Sequence, residues 1–204
     1  MHLTLKICLG LTLSIIVGAS SCDTKEQKSP LLVDNASIEA PVIDDSLSLD
    51  FICGRFSPEE DSSFVEIDLK YADKKGMYMK RPAYDAFIEM YNAAQEDGFQ
   101  LVIRSAARNF KYQKKIWERK WSGQTILSDG SNAQLDYPDP LTRAKKILEY
   151  SSMPGTSRHH WGTDIDFNSF DNSWFEQGEG LKLFTWLEKN ASLYGFCRPY
   201  TAYD

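Results

Sequence analysis

An imidazole and a carboxylate seven residues apart, with a glycine between them, can close on one metal ion. The run Ser157-Arg158-His159-His160-Trp161-Gly162-Thr163-Asp164-Ile165-Asp166 offers both donor types. A turn is predicted at Gly162-Thr163, and a strand leaving that turn would bring Asp166 back beside His159. In an extended segment adjacent side chains face opposite ways, so one of the two histidines can join Asp166 and not both. The alternative without chemistry is a pair of satisfied core or surface histidines. No C-x-x-C or Cys/His cluster occurs, which excludes a structural zinc site of the finger type.

These groups need a frame. Pro82 suits a first helical position, and Ala83, Phe87, Met90, Tyr91 and Ala94 then share one helical face up to Asp97-Gly98. Leu101 to Ile103 reads as a short buried strand. Tyr112 to Trp121 reads as a helix with Tyr112, Ile116 and Lys120 along one stripe. Residues 122–140 are rich in Ser, Asp, Asn, Gly and Pro and read as a long loop, often a functional feature in a compact domain. Leu141 to Tyr150 is helical, with Ala144, Ile147 and Leu148 in phase. Thr163 to Phe167 alternates as a strand. Leu181 to Tyr194 carries Leu183, Trp186, Leu187, Ala191 and Tyr194 on one face and stops at Gly195. Helices and strands do not alternate regularly, so the expected class is α+β, with a central antiparallel sheet flanked by helices.

The ends carry a different signal. Met1 to Lys6 precedes an apolar stretch from Ile7 to Val17, too short for the ~20 residues of a membrane span. Gly18, Ala19, Ser20 and Ser21 then lead into Cys22, a pattern that resembles a bacterial lipobox. Residues 1–21 are expected to be a lipoprotein signal peptide, with Cys22 as the lipidation site and the cell envelope as the location; an ordinary secretory signal is the alternative. Residues 22–48 lack sustained periodicity and read as a flexible tether. Residues 49–204, about 155 residues, are a normal size for one domain. Loss of residues 1–21 removes Lys6 alone among charged residues, taking the formal charge from -6 to -7. A mildly acidic chain without a Lys/Arg block argues against nucleic acid as a partner. Of the four cysteines, Cys53 and Cys197 remain for the folded part; an oxidising envelope would allow them to pair, and two buried thiols are the alternative.

The run from Ser157 to Asp166 resembles the S-x-H-x-x-G-x-x-x-D signature of the VanY-type D-alanyl-D-alanine carboxypeptidases, zinc metallopeptidases related to lysostaphin and hedgehog domains. Ser157, His159, Gly162 and Asp166 occupy the signature positions. Asp164 stands where the family has a small residue, which would add negative charge near the metal. Ser105-Ala106-Ala107-Arg108 followed by Gln113 is similar to the S-x-x-R-x-x-x-x-Q segment after a core strand. Trp186-Leu187, Asn190-Ala191 and Tyr194-Gly195-Phe196 are similar to the helix before the last catalytic strand.

The resemblance implies a hedgehog/D-Ala-D-Ala peptidase-like fold and Zn2+ bound by His159 and Asp166. It implies that Arg108 polarises the scissile carbonyl and stabilises its oxyanion, that Gln113 helps to hold the substrate, and that Ser157 contacts its terminal carboxylate. The implied substrates are peptidoglycan stem peptides ending in D-Ala. In the family a further Glu, the general base, and a second His come from an E-x-x-H or E-x-W-H segment beyond the Tyr-Gly-Phe helix end. That segment does not occur up to Asp204; Glu149, Glu176 and Glu179 are the nearest acidic candidates to substitute, and Glu176 and Glu179, in a polar loop with Gly178 and Gly180, read as solvated surface. The expectation is therefore a C-terminally incomplete domain with impaired zinc binding and hydrolysis and an exposed sheet edge. The alternative is a non-catalytic lipoprotein that binds cell-wall peptides.

Overall fold

The structure is a computed structural model that describes residues 48–199 and the backbone of residues 6–9. The strands are β1 (Lys6–Leu9), β2 (Phe64–Glu66), β3 (Tyr78–Lys80), β4 (Ile103–Ser105), β5 (Ile165–Phe167) and β6 (Phe196–Cys197). The helices are α1 (Leu49–Ile52), α2 (Arg81–Glu96), α3 (Phe110–Trp121), α4 (Ala133–Asp136), α5 (Pro140–Leu148) and α6 (Gly178–Asn190). Short 3-10 turns run over Arg158–Trp161, Asn172–Glu176 and Ala191–Tyr194. The class is α+β, with antiparallel pairing in the order β4-β5-β1-β6 and a separate β2-β3 hairpin.

Helix α2 forms as its sequence predicts. Pro82 lies in the first turn, where a missing N–H costs nothing. Ala83, Phe87, Met90, Tyr91 and Ala94 are all buried, and Tyr84 joins them. Phe87 stacks on Phe167 with ring centroids 5.9 Å apart, fastening α2 to β5. Helix α6 closes the same core with Leu183, Trp186 and Leu187. The Trp186 indole donates to Asp97 Oδ2 at 2.6 Å, so the α6 core residue also ties down the end of α2. Gly195, at φ 79°, ends the helical run and releases the chain into β6.

Several expectations shift. β4 begins two residues later than the apolar run, although Leu101 is buried. β5 is buried at all three positions rather than alternating, because the Asp166 face is covered as well as the core face. The stretch 122–140 is not all loop: α4 packs Ala133 with Leu127 and Ile147 in a satellite cluster. Leu148 is 47 % exposed, so the inward stripe of α5 ends at Ile147. In α3 the buried residue is Gln113, while Tyr112 is 49 % exposed; the stripe of Tyr112, Ile116 and Lys120 lines a cleft. Cys53 carries a free thiol, so the bridge to Cys197 is not formed, and Cys197 is exposed rather than buried.

Strand β1 lies within the segment read as a leader. Its backbone fills the slot between β5 and β6, with Lys6 opposite Asp166 and Leu9 opposite Phe196. The rest of residues 1–21 and the tether up to residue 47, Cys22 included, lie outside the described residues.

Candidate active site

Two chain segments are clasped to each other to make the site. The first leaves β4 through Ser105 to Asn109, where the Asn109 side chain caps α3 by accepting from Tyr112 N–H. The second is the turn Arg158–Trp161. Arg108 N–H donates to the His159 carbonyl at 3.0 Å, locking the two backbones together. β5 enters beside them in antiparallel register, with Asp166 opposite Ser105.

His159 is buried, and its Nδ1 lies 2.8 Å from the Ala106 carbonyl oxygen. A carbonyl can only accept, so the neutral ring carries its proton on Nδ1. Its Nε2 lone pair then faces Asp166, with Oδ2 at 3.4 Å. An imidazole oriented through its other nitrogen is the usual support for a metal ligand. The donor set thus fits a divalent cation at His159 Nε2 and Asp166. Among the described residues, no group of three His, Cys, Asp or Glu is placed to hold a metal.

His160 turns elsewhere, as the sequence implied, but for a different reason. The segment is a 3-10 turn rather than extended, and successive side chains diverge by about 120°. His160 Nε2 accepts from Gly155 N–H at 3.1 Å, which fixes the proton on Nδ1; that group donates to the Arg108 carbonyl at 2.5 Å. His160 therefore holds the backbone of Arg108 in place. Gly54 packs so closely that a Cβ there would lie 2.4 Å from His160 Nδ1. Burial pushes the His160 pKa below its ordinary value, with the Arg108 charge acting in the same direction. The neutral ring is thus the folded form, and unfolding exposes a group that protonates more readily. Its contribution is complete above the unfolded value of about 6.5 and is lost as pH falls below it. The melting temperature is expected to fall between pH 7 and pH 5, with a shallower fall in His160→Gln. Thermal unfolding of both proteins across that range checks this.

Arg108 sits over Asp166, with Nη2 3.8 Å from Oδ2 and both side chains largely buried. Burial lowers the pKa of Arg108, and the Asp166 charge opposes that shift. Its Nε has no hydrogen-bond partner among the described residues, and neither does Oε1 of Gln113, whose Nε2 donates to the Ser152 carbonyl at 2.7 Å. A buried donor and a buried acceptor left open in one cleft suit a peptide ligand, which supplies both a carbonyl and an N–H. Ser157 is buried at the head of the histidine turn and makes no side-chain capping bond there. Arg108, Gln113, Ser157 and Asp166 all line one cleft of about 420 Å³, so the sequence-predicted residues are brought together.

Asp164 corrects one expectation. It is fully buried, and Arg158 takes up its charge through Nε–Oδ2 at 2.8 Å and Nη2–Oδ1 at 3.4 Å. Sequence reasoning missed Arg158 in this role. The pairing of a cation and a carboxylate six residues apart across the turn was the available signal. The bond from His160 to the Arg108 carbonyl had none, because its partner lies 52 residues away and is reached only through the fold. Glu149, Glu176 and Glu179 are exposed, in keeping with solvated surface.

Comparison with known proteins places these features. The family model for D-alanyl-D-alanine carboxypeptidase, VanY, matches residues 76–204. The carboxypeptidase-type protein YodJ of Bacillus subtilis (strain 168) is 26% identical over 151 residues, covering 72% of this chain and 48% of its own. A D-alanyl-D-alanine carboxypeptidase of Enterococcus faecalis (strain ATCC 700802 / V583) is 26% identical over 113 residues, covering 55% and 37% respectively. The chain thus spans about half or less of the length of these relatives. The solved structure of VanYB in complex with D-Alanine-D-Alanine superposes with a TM-score of 0.53 at 19% identity, over 69% of this chain and 67% of that one, and shares the fold.

Proposed function

The chain belongs to the D-alanyl-D-alanine carboxypeptidase (VanY) family, and on that premise we propose that it is a zinc-dependent peptidase acting on D-Ala-containing peptidoglycan stem peptides. The observation that carries this reading is the facing pair His159 Nε2 and Asp166 Oδ2 beneath the Arg108 guanidinium. When bound there, the metal supplies Lewis-acid activation of water and of the scissile carbonyl. Ala106 orients His159 through its carbonyl, and Asp166 keeps Arg108 charged and in place. Arg108 directs a rigid fork of donors at a carbonyl or carboxylate oxygen. Gln113 offers an acceptor to a peptide N–H, and Ser157 a hydroxyl to the terminal carboxylate. We place the protein in the bacterial envelope, tethered by a lipid on Cys22.

Catalytic zinc sites generally use three protein ligands and a water, and the described residues supply two. Weak zinc binding and slow hydrolysis by these 204 residues are therefore part of the proposal. One feature favours a second reading, a cell-wall peptide-binding lipoprotein: Arg108, Gln113 and Ser157 assemble the binding side of the cleft without needing a metal. D-Ala release from a D-Ala-D-Ala-terminated stem peptide, measured with zinc and with chelator, separates the two. The enzyme reading expects slow, zinc-dependent release. Peptide binding without release points to the binder, and no binding at all removes both.

A further inference from the structure

The cleft does not end at Arg108. A second cavity of about 330 Å³ opens beyond it, and Lys74, Ser105, Arg108 and Tyr112 line both. Lys74 and Lys75 stand on the wall of this second cavity, and Glu59 is the one carboxylate among the described residues that line it. Both lysines are exposed, and neither ammonium group has an ion-pair partner among the described residues. The turn that presents them is held at both ends by the strand segment that carries Arg108. Before the turn, Ile103 N–H donates to the Tyr71 carbonyl at 2.7 Å, and Arg104 Nε donates to Asp73 Oδ2 at 2.6 Å. After it, Ala107 N–H donates to the Tyr78 carbonyl at 2.9 Å. Gly76 N–H donates to Glu66 Oε1 at 3.0 Å, so the acids beside the turn, Asp73 and Glu66, are already engaged.

The two cavities give a bound peptide a direction. Gln113, Ser157 and Asp166 line the first and not the second. A peptide with its terminal carboxylate at Ser157 and its scissile carbonyl beneath Arg108 therefore carries its upstream residues across Arg108 into the second cavity. There it meets two lysines, in a chain whose net charge of -6 otherwise repels an acid. We infer that Lys74 and Lys75 form an anion subsite, which takes a carboxylate that the stem peptide carries upstream of its D-Ala-D-Ala end.

This inference rests on the stem-peptide reading of the cleft and adds the charge that the cleft selects. A stem peptide carries such a carboxylate in either of two places. One is the α-carboxyl of the γ-linked D-glutamate, which is free or amidated. The other is the second carboxyl of a diaminopimelate at the third position, which is absent where that residue is lysine. The shared chemistry is a carboxylate that accepts charge-assisted bonds from two ammonium groups. The plainer reading of adjacent exposed lysines is solvated surface. Such lysines act on an anion through net charge alone, as lysines elsewhere on the chain do.

The test is equilibrium binding of three synthetic peptides, with zinc and with chelator. The reference is L-Ala-D-isoglutaminyl-L-Lys-D-Ala-D-Ala, which has no upstream carboxylate. The second peptide has γ-D-Glu in place of isoglutamine, and the third has meso-diaminopimelate in place of L-Lys. Each is offered to the 204-residue chain, to Lys74→Met/Lys75→Met, and to Lys111→Met/Lys115→Met. The last pair is exposed on α3, lines neither cavity and makes the same change in charge. The unaltered chain is expected to bind at least one acidic peptide about fivefold more tightly than the reference, with a preference that shrinks as salt is raised. Which acidic peptide is preferred names the source of the carboxylate. Lys74→Met/Lys75→Met is expected to lose the preference while binding the reference unchanged, which also shows it to be folded, and Lys111→Met/Lys115→Met is expected to keep it. Equal binding of all three peptides by the unaltered chain overturns the subsite and leaves the stem-peptide reading standing. A preference that survives in Lys74→Met/Lys75→Met, or that falls equally in both variants, overturns the assignment to these two lysines. Binding of none of the peptides, with zinc or with chelator, overturns the stem-peptide reading and the subsite with it.

Discussion

Asp166→Ala is expected to lower the unfolding free energy by about 3 kcal/mol and to remove measurable zinc binding. Both effects come from one carboxylate with two neighbours. Oδ2 lies 3.8 Å from Arg108 Nη2 and 3.4 Å from His159 Nε2. Without Asp166 the Arg108 charge stays in a largely buried place with its nearest counter-charge gone. Removing one partner of a buried pair costs about 3–5 kcal/mol, because the remaining ion is left uncompensated. The low end applies here, since the variant also sheds the desolvation of the carboxylate. For a domain of this size a loss of that order is roughly a 10 °C drop in melting temperature. The double variant Arg108→Met/Asp166→Ala should recover part of the loss, because no buried charge remains to be compensated. It should not recover zinc binding. Thermal melts and zinc titrations of the three proteins distinguish these contributions; equal stability of Asp166→Ala and the unaltered chain would contradict the assignment of Asp166 as the counter-charge.

Gly162→Ala is expected to cost about 2–4 kcal/mol and to weaken zinc binding together with stability. Gly162 adopts φ +74°, where a Cβ meets the following carbonyl at a cost of roughly 1–2 kcal/mol. The added carbon would also lie 2.3 Å from Phe64 Cε1 and 3.2 Å from Lys80 Cγ. Overpacking of that kind costs about 1–3 kcal/mol. The relief must come from the turn itself, whose carbonyl accepts from Lys80 N–H at 2.9 Å. That turn sets the return of Asp166 toward His159, so a shift there opens the metal-binding pair. Phe64→Leu combined with Gly162→Ala should restore part of the stability by removing the ring contact. A fully stable Gly162→Ala with unchanged zinc affinity would show that the turn does not position the pair.

Much of this arrangement was legible in the order of residues. The apolar face of α2 and that of α6 appeared as period-3.6 stripes, because both helices meet the core along one side. The pairing of His159 with Asp166 was legible because the intervening glycine marks a reversal and both donor types are close in sequence. Other parts were not. The polarity of α3 alone does not show its role: Gln113 is its buried residue, and it was the resemblance, not the helical pattern, that singled it out. The strand carrying Asp166 was expected to alternate, yet Arg108 and the histidine turn cover the Asp166 face from two different parts of the chain. The tie from His160 to Arg108 spans 52 residues, and no local pattern encodes a contact of that range. The pairing of the Lys6–Leu9 backbone with β5 and β6 joins parts of the chain more than 150 residues apart, and no local pattern in residues 1–21 encodes it.

The convergence of His159 and Asp166 on one cation is tested most directly by diffraction at the zinc absorption edge from crystals of the 204-residue chain grown with zinc. The account predicts an anomalous peak about 2.0–2.2 Å from both His159 Nε2 and an Asp166 carboxylate oxygen. A peak bound to other residues, with these two atoms out of reach of it, would contradict the account.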